Sequence, residues 1–293
     1  MSQAVDTTVF VADNTGFTTN NIALGVDDID LGGDLEYAIS TGKRGTRQQY
    51  ACRSRIVAER IQRGFSIKPT AAEMDWILER AIGDNIGNLP SSAVVPGETV
   101  PAWFLWANKG NEQTFQYTNC RFNSLSLAGS ELAEMVMRAE LVGTAEVEVT
   151  DLVSPPAVDC DNQFIFSDCS LTIGGTAYGI KSLNLSMDNL FGDGQYENNT
   201  QRSIFESQSL AMTLEIITAY RSDTSALYRR GISGDVGILT MNDGVVEYNF
   251  TFANTKAPTQ GPVVPVVGEV TMGLTFAILR TESNPMVSIE KTV

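Results

Sequence analysis

The residue types best suited to chemistry in this chain are its carboxylates and thiols. The densest clusters are Asp159-Cys160-Asp161-Asn162 and Asp27-Asp28-Ile29-Asp30. Either could offer oxygen ligands to a hard cation, but neither has the spacing of a calcium loop. The first reads as a linker turn, the second as an acidic contact surface. The sequence contains no histidine, which removes the commonest general base and metal ligand. Ser-His-Asp and Cys-His arrangements are therefore impossible within the chain. Cys52, Cys120, Cys160 and Cys169 form no CxxC pair and read as small core residues of a reducing compartment. Gly174-Gly175 and Gly192-Asp193-Gly194 are not followed by Lys-Ser/Thr or a helix start, so they read as turns, not phosphate loops. Trp76, Trp103 and Trp106 could stack on bases only within a basic groove, which leaves core packing as the expectation. No carboxylate pair stands out for glycosidase-type work. We expect no enzyme, no cofactor and no metal.

The formal net charge of -15 repels nucleic acid and acidic membranes, which suits a passage for DNA better than a grip on it. Hydrophobic residues make up 43% of the chain, enough for packed cores, while charged residues at 19% are sparse for a solvated monomer. No apolar run reaches transmembrane length. Residues 1–6 lack the basic and apolar regions of a leader, so a soluble protein made in the cytoplasm is expected. The Asn198-Asn199-Thr200 and Asn249-Phe250-Thr251 glycosylation patterns carry no meaning in that setting.

The elements that would position these residues are mostly strands. Leu35, Tyr37 and Ile39 alternate as in a half-buried strand. A polar loop with two glycines, residues 40–49, leads into a strand-like stretch at 53–67. Thr70 with Glu73 three residues on predicts a capped helix, with Met74, Ile77, Leu78, Ala81 and Ile82 at helical spacing and Gly83 as its stop. Trp103 to Trp106 reads as a short buried strand. Residues 115–127 and 134–149 read as strands around a Gly129-Ser130 turn. Ser154-Pro155-Pro156 reads as a linker. Further on, Gly174-Gly175 and Asn242-Asp243-Gly244 predict hairpin turns. Residues 182–187, 210–217 and 270–279 predict strands, and 223–232 a short helix.

The order strand, polar loop, strand, helix, hairpin occurs twice. Ile77 to Ile82 matches Leu227 to Ile232 at an offset of 150, and Tyr117-Thr118-Asn119-Cys120-Arg121 matches Phe252-Ala253-Asn254-Thr255-Lys256 at 135. A longer Pro-rich loop after the first helix absorbs the difference. The expected organisation is an N-terminal arm and first strand (1–33), a first domain (34–150), a linker (151–162) and a second domain (163–293).

Residues 65–78, 117–127, 166–175 and 180–189, taken in order, make the chain resemble the major tail-tube proteins of long-tailed bacteriophages. The resemblance spans about residues 35 to 280. It implies a mainly β, α+β fold: a duplicated β-sandwich or curved sheet, each domain flanked by one helix, contributing to a β-barrel between subunits. It implies a structural protein of the virion tail, forming trimeric, pseudo-sixfold rings that stack into a tube. Its implied partners are copies of itself, the tape-measure, tail-terminator and baseplate proteins, and double-stranded DNA passing through the lumen; no membrane is involved. Lys43, Arg44 and Arg47 belong to a run of eight of the chain's twenty basic residues between 43 and 68. We expect this basic hairpin to meet acidic surfaces at Asp27, Asp28 and Asp30, or at Asp188, Asp193 and Glu197, on a neighbouring subunit or ring. A solvated basic face, or local pairing with residues 27–36, is the alternative. A tail-hub component, a contractile-system tube protein and a carboxylate-dependent hydrolase remain alternative functions.

Overall fold

The helix start at Thr70 is the strongest local signal in the sequence, and it forms as expected. In α1 (Ala71–Ile82) the Glu73 amide donates to Thr70 Oγ1 at 3.5 Å and Glu73 Oε2 accepts from the Thr70 amide at 2.9 Å. This satisfies two of the amides a helix N-terminus leaves open. Glu73 Oε1 also accepts from Gly25 at 2.6 Å, tying the helix to a strand corner. Burial pushes this carboxyl upward against the pull of those two amides. Gly83 ends the helix in an extended, not left-handed, conformation (φ -102). A larger residue would fit tightly there: a Cβ would lie 3.1 Å from Val94 and 3.2 Å from the Val95 carbonyl.

The structure, a computed structural model, describes residues 7–15, 21–30, 34–39, 54–83, 87, 89–109, 113–149, 156–159, 161–191, 199–203, 205–207, 209–221, 224, 225, 227, 234–257 and 270–293. Among these, α1 is accompanied by seventeen strands in one antiparallel, open sheet system. The first half holds β1 (Thr7–Ala12), β2 (Ile22–Leu24), β3 (Val26–Asp30), β4 (Asp34–Ile39), β5 (Ser54–Ile67), β6 (Trp103–Lys109), β7 (Gln113–Ser130), β8 (Val136–Gly143) and β9 (Ala145–Val149). The second holds β10 (Cys169–Ile173), β11 (Thr176–Tyr178), β12 (Ser182–Asp188), β13 (Ala211–Ala219), β14 (Asp235–Asn242), β15 (Glu247–Lys256), β16 (Thr271–Leu279) and β17 (Val287–Thr292).

Apart from β4, the pairings of the two halves correspond among the described residues. In the first, β2–β1–β6–β7–β9 form a wing, while β3 and β4 pair in succession with β5, which pairs with β8 and through it with β7. In the second, β11–β10–β14–β15–β17 form the matching wing, and β12–β13–β16–β15 the matching sheet. One bulge also agrees. Between Trp103/Leu105 on β6 and Tyr117/Cys120 on β7 the ladder slips by one residue. The same slip falls between Asp235/Gly237 and Phe252/Thr255. Tyr117 and Phe252 thus hold one position, as their 135-residue offset suggests. The helix start differs slightly from the sequence match. Met74 donates to Thr70 O at 2.9 Å and Ser225 to Arg221 O at 2.9 Å, an offset of 151 where the helix residues suggest 150.

Among the described residues one pairing of named strands joins the halves, beside isolated bridges at Val94↔Ile289, Glu134↔Ile165 and Glu59↔Gln201. β12 lies against the C-terminal part of β7, from Ser182↔Ser130 to Asp188↔Ser124. The central sheet therefore runs β3/β4–β5–β8–β7–β12–β13–β16–β15 across both halves. Its apolar face, α1 and the wings share one core. There Trp76 meets Trp103 edge-on at 5.2 Å and Phe122 at 6.2 Å. All three tryptophans are buried, matching the core reading.

Several elements differ from the sequence reading. Residues 1–33 hold three strands, because Val9 and Val11 are core residues paired on two sides. β7 passes through Gly129 to Ser130, held there by β12, and the turn falls at 131–134. β17 was not anticipated. The second helix expected at 223–232 lies outside the described residues except Thr224, Ser225 and Leu227, and the 40–49 loop and 151–155 lie wholly outside.

Candidate functional site

In an antiparallel sheet, residues directly opposite one another share a face. The registers of the central sheet therefore define rows on the side turned away from α1. One row reads Asp28, Ser66, Arg138, Ser126, Ser186, Thr213, Ala277. The next reads Asp30, Gly64, Glu140, Ser124, Asp188, Ala211, and a third Val136, Ala128, Asn184, Glu215, Thr275. The face is open, and half of the residues in these rows are Ser, Thr or Ala. Ser186 and Thr213 hydroxyls bond each other at 2.6 Å, and Asn184 donates to Glu215 at 3.3 Å. Five acids, Asp28, Asp30, Glu140, Asp188 and Glu215, stand against Arg138 and the terminal Lys256 opposite Ala277. Among the described residues the face is net acidic.

At the β3 end of this face is an open groove of about 640 Å³ lined by Asp28, Asp30, Arg63, Arg138 and Glu140. Gly64 in its floor is forced, since a Cβ there would lie 2.6 Å from the Ala139 carbonyl. Arg63 pairs with Asp30 at 3.4 Å. Beside it Lys68 pairs with Glu134 at 2.6 Å and Asp27 at 4.0 Å. The Glu134 hydrogen bond, then the Asp27 charge, pushes the Lys68 ammonium upward. Two bases of the positive run thus meet the acidic cluster locally. Of the expected contact residues, Asp27, Asp28 and Asp30 stand together on β3. Asp188 shares their face four strands away, about 19 Å by strand spacing, and caps its own turn by accepting from Leu190 at 2.8 Å. Lys43, Arg44, Arg47, Asp193 and Glu197 lie outside the described residues.

The joint between the halves is the second notable site. α1 is a wedge. One side packs on its own wing, where Arg80 donates to Asp13 through two parallel bonds of 2.8 and 2.7 Å and covers Trp76 at 4.1 Å. The other side seats on the second wing. Tyr248 Oη lies 2.6 Å from Asp75 Oδ1 and 2.8 Å from the Ala71 carbonyl, and Lys291 donates to Asp75 Oδ2. Burial, then the Asp75 charge, pushes the Tyr248 phenol well above its ordinary value. Asn189 donates to the carbonyls of Ala81 and Phe122, closing the other end of the joint. Beneath α1 a cavity of only about 20 Å³ is lined by apolar groups, Leu78, Leu127, Leu185 and Met212 among them. Its lining lacks the polar partners that an ordered water needs.

No family model matches the chain, and no curated protein matches its sequence.

The remaining chemistry candidates have structural employment. Asp159 accepts from Thr70 Oγ1 at 2.8 Å and from the Asp161 amide at 3.1 Å, forming a turn. Burial pushes the Cys120 thiol up, and pushes Cys169 up to about 12. Neither offers a thiolate near neutral pH. Cys52 and Cys160 lie outside the described residues. Sequence reasoning missed Asp75, Tyr248 and Lys291. They lie 173 and 216 positions apart in pairs, and no local pattern marks them.

Proposed function

We propose that the chain is a self-assembling wall subunit of a tube, the tail-tube protein of a long-tailed phage, carrying two copies of one building unit. One observation carries this reading. β3 and β12 hold the same place in the two halves, yet β12 pairs on both edges, with β13 and β7, whereas β3 among the described residues pairs only with β5. An edge left open invites another chain. A second copy that offers its second half to β3 continues the sheet by the rule the chain already uses within itself. Such a joint is head-to-tail, and head-to-tail joints close into a ring when their rotation divides the circle. Three chains would place six units in that ring, and stacked rings would make the tube.

The uncovered face supports the same reading. Turned inward, its short side chains and acid excess would repel the phosphate backbone and let double-stranded DNA pass without sticking. The tape-measure, tail-terminator and baseplate proteins would then be its partners within the tube and at its ends, in the virion tail.

Negative-stain microscopy of the purified protein tests this, with long tubes expected; single rings would favour a hub component. Successive strand residues turn their amides to opposite edges, so proline at Asp28 or at Ile29 removes a donor from the open edge in one case and from the β5 ladder in the other. The variant that keeps the wild-type melting temperature is expected to stay unassembled. Tubes from that variant, or a wild-type chain that remains a monomer at high concentration, would overturn the proposal.

A further inference from the structure

The proposed ring fixes the direction of its strands. If β3 carries the sheet on into the next chain, hydrogen bonding runs around the ring and the strands lean along its axis. Their two ends then face the rings above and below. The β7–β12 pairing, from Ser130↔Ser182 to Ser124↔Asp188, spans about 20 Å by strand rise, and its two ends are built differently.

Two leucines mark those ends. Leu132 lies two residues beyond β7, and Leu190 two residues beyond β12. Among the described residues three other than glycine have left-handed backbone: Asn119 at φ 52, Leu132 at φ 64 and Leu190 at φ 45. Asparagine tolerates that region, whereas leucine is strained in it. Both leucines are exposed, Leu132 wholly so. Backbone strain concentrates where a surface binds. Leu132 also has apolar company: Ile165, exposed, sits beside its turn through the Glu134↔Ile165 bridge.

The Leu190 end is hollow. The 96–98 loop, Leu210 and the β16–β17 turn enclose an open groove of about 500 Å³, lined by Pro96, Leu210, Pro285 and Met286 with Arg280 and Ser283. Leu210 precedes Ala211, which pairs with Asp188, so the groove stands at the end of the strands away from Leu132. Its turn is set: the Thr281 amide donates to the Asn284 carbonyl at 3.1 Å, and Thr281 Oγ1 accepts from the Asn284 amide at 3.0 Å. Each end carries both signs of charge. Glu131 and Lys181 flank Leu132, the Glu131 amide donating to the Lys181 carbonyl at 3.0 Å. Arg280, Glu98 and Glu282 flank the groove. Each end can therefore offer the other an opposite partner.

We infer that Leu132 is the knob by which one ring stacks on the next, and that the groove between Pro96, Leu210 and Met286 of a second copy is its socket. The inference rests on the proposed tube and names the contact along its axis. Knob and socket lie at opposite ends of the same strands. Each added ring leaves a knob free at one end of the stack and a socket at the other, which is the open, head-to-tail contact that makes filaments.

Three variants test it, each with a melting curve to show that the chain folds. Leu132→Asn removes the knob and suits the left-handed backbone. Ser283→Trp fills the groove from an exposed turn. Each is expected to raise the concentration needed for tubes tenfold or more, read by sedimentation and negative-stain microscopy. Glu131→Cys combined with Ser283→Cys keeps Leu132; it is assembled under reductant and then oxidised. A non-reducing gel is expected to show a ladder of linked chains that neither single variant gives. Unchanged tube assembly of Leu132→Asn, or oxidised tubes without a ladder, overturns the socket while the tube reading stands. Wild-type rings that never stack overturn it and favour a hub, and a wild type that stays monomeric overturns both.

Discussion

Replacing Tyr248 with phenylalanine probes the joint between the halves at one atom. The ring stays, so packing against Phe164 at 5.7 Å is kept, and only the hydroxyl between Asp75 and Ala71 is lost. A hydrogen bond to a charged acceptor contributes about 1.5–3 kcal/mol net, and Asp75 retains Lys291. We therefore expect a loss of about 2 kcal/mol at neutral pH, read as a lower urea midpoint at unchanged slope. The pH dependence gives a sharper check. The folded phenol is raised above its unfolded value near 10. Its contribution is fully present below about pH 10 and lost as pH rises toward the folded value, by up to about 1.4 kcal/mol per pH unit. The stability gap between wild type and Tyr248→Phe should thus hold from pH 7 to 9 and narrow above 10. Other raised tyrosines, such as Tyr117, occur in both proteins and cancel. A gap under about 0.5 kcal/mol at pH 7, or one that widens in alkali, would refute the account of the joint.

Arg80→Ala removes one partner of a buried pair with Asp13 and should cost about 3–5 kcal/mol in the same denaturation assay; a loss below about 1 kcal/mol would show that the pair is not structural. Leu132 is fully exposed and left-handed at φ 64, a conformation that costs most side chains about 1 kcal/mol. Leu132→Asn should accordingly raise the melting temperature without loss of packing, and an unchanged or lower value would mean that the backbone there carries no strain.

Local signals served well where one segment satisfies itself. Thr70 and Glu73 complete their capping box within four residues, and the Gly174-Gly175 and Asn242-Asp243-Gly244 turns need only positive φ at Gly174, Gly175 and Gly244. Alternation placed β12, β13 and β16 almost to the residue. Where a neighbour decides, the sequence reading fell short. Gly129 reads as a turn, yet it stays in β7 because Leu183 pairs with it from the other half. Residues 1–33 read as an arm and one strand, yet β1, β2 and β3 all form among the described residues, because β1 is held between β2 and β6 and β3 pairs with β5. The acidic run at Asp27–Asp30 was visible as a patch, but its sharing of one face with Glu140, Asp188 and Glu215 follows only from cross-strand register.

By itself the sequence determined a histidine-free, acidic, mainly β chain whose pattern recurs, because composition and periodicity belong to the chain alone. Tertiary structure decided that the two halves share one sheet, that α1 wedges onto the second wing, and that β3 keeps an edge among the described residues that β12 does not. Those are contacts between residues scores of positions apart, and their partners are chosen by shape and register, which no local stretch encodes.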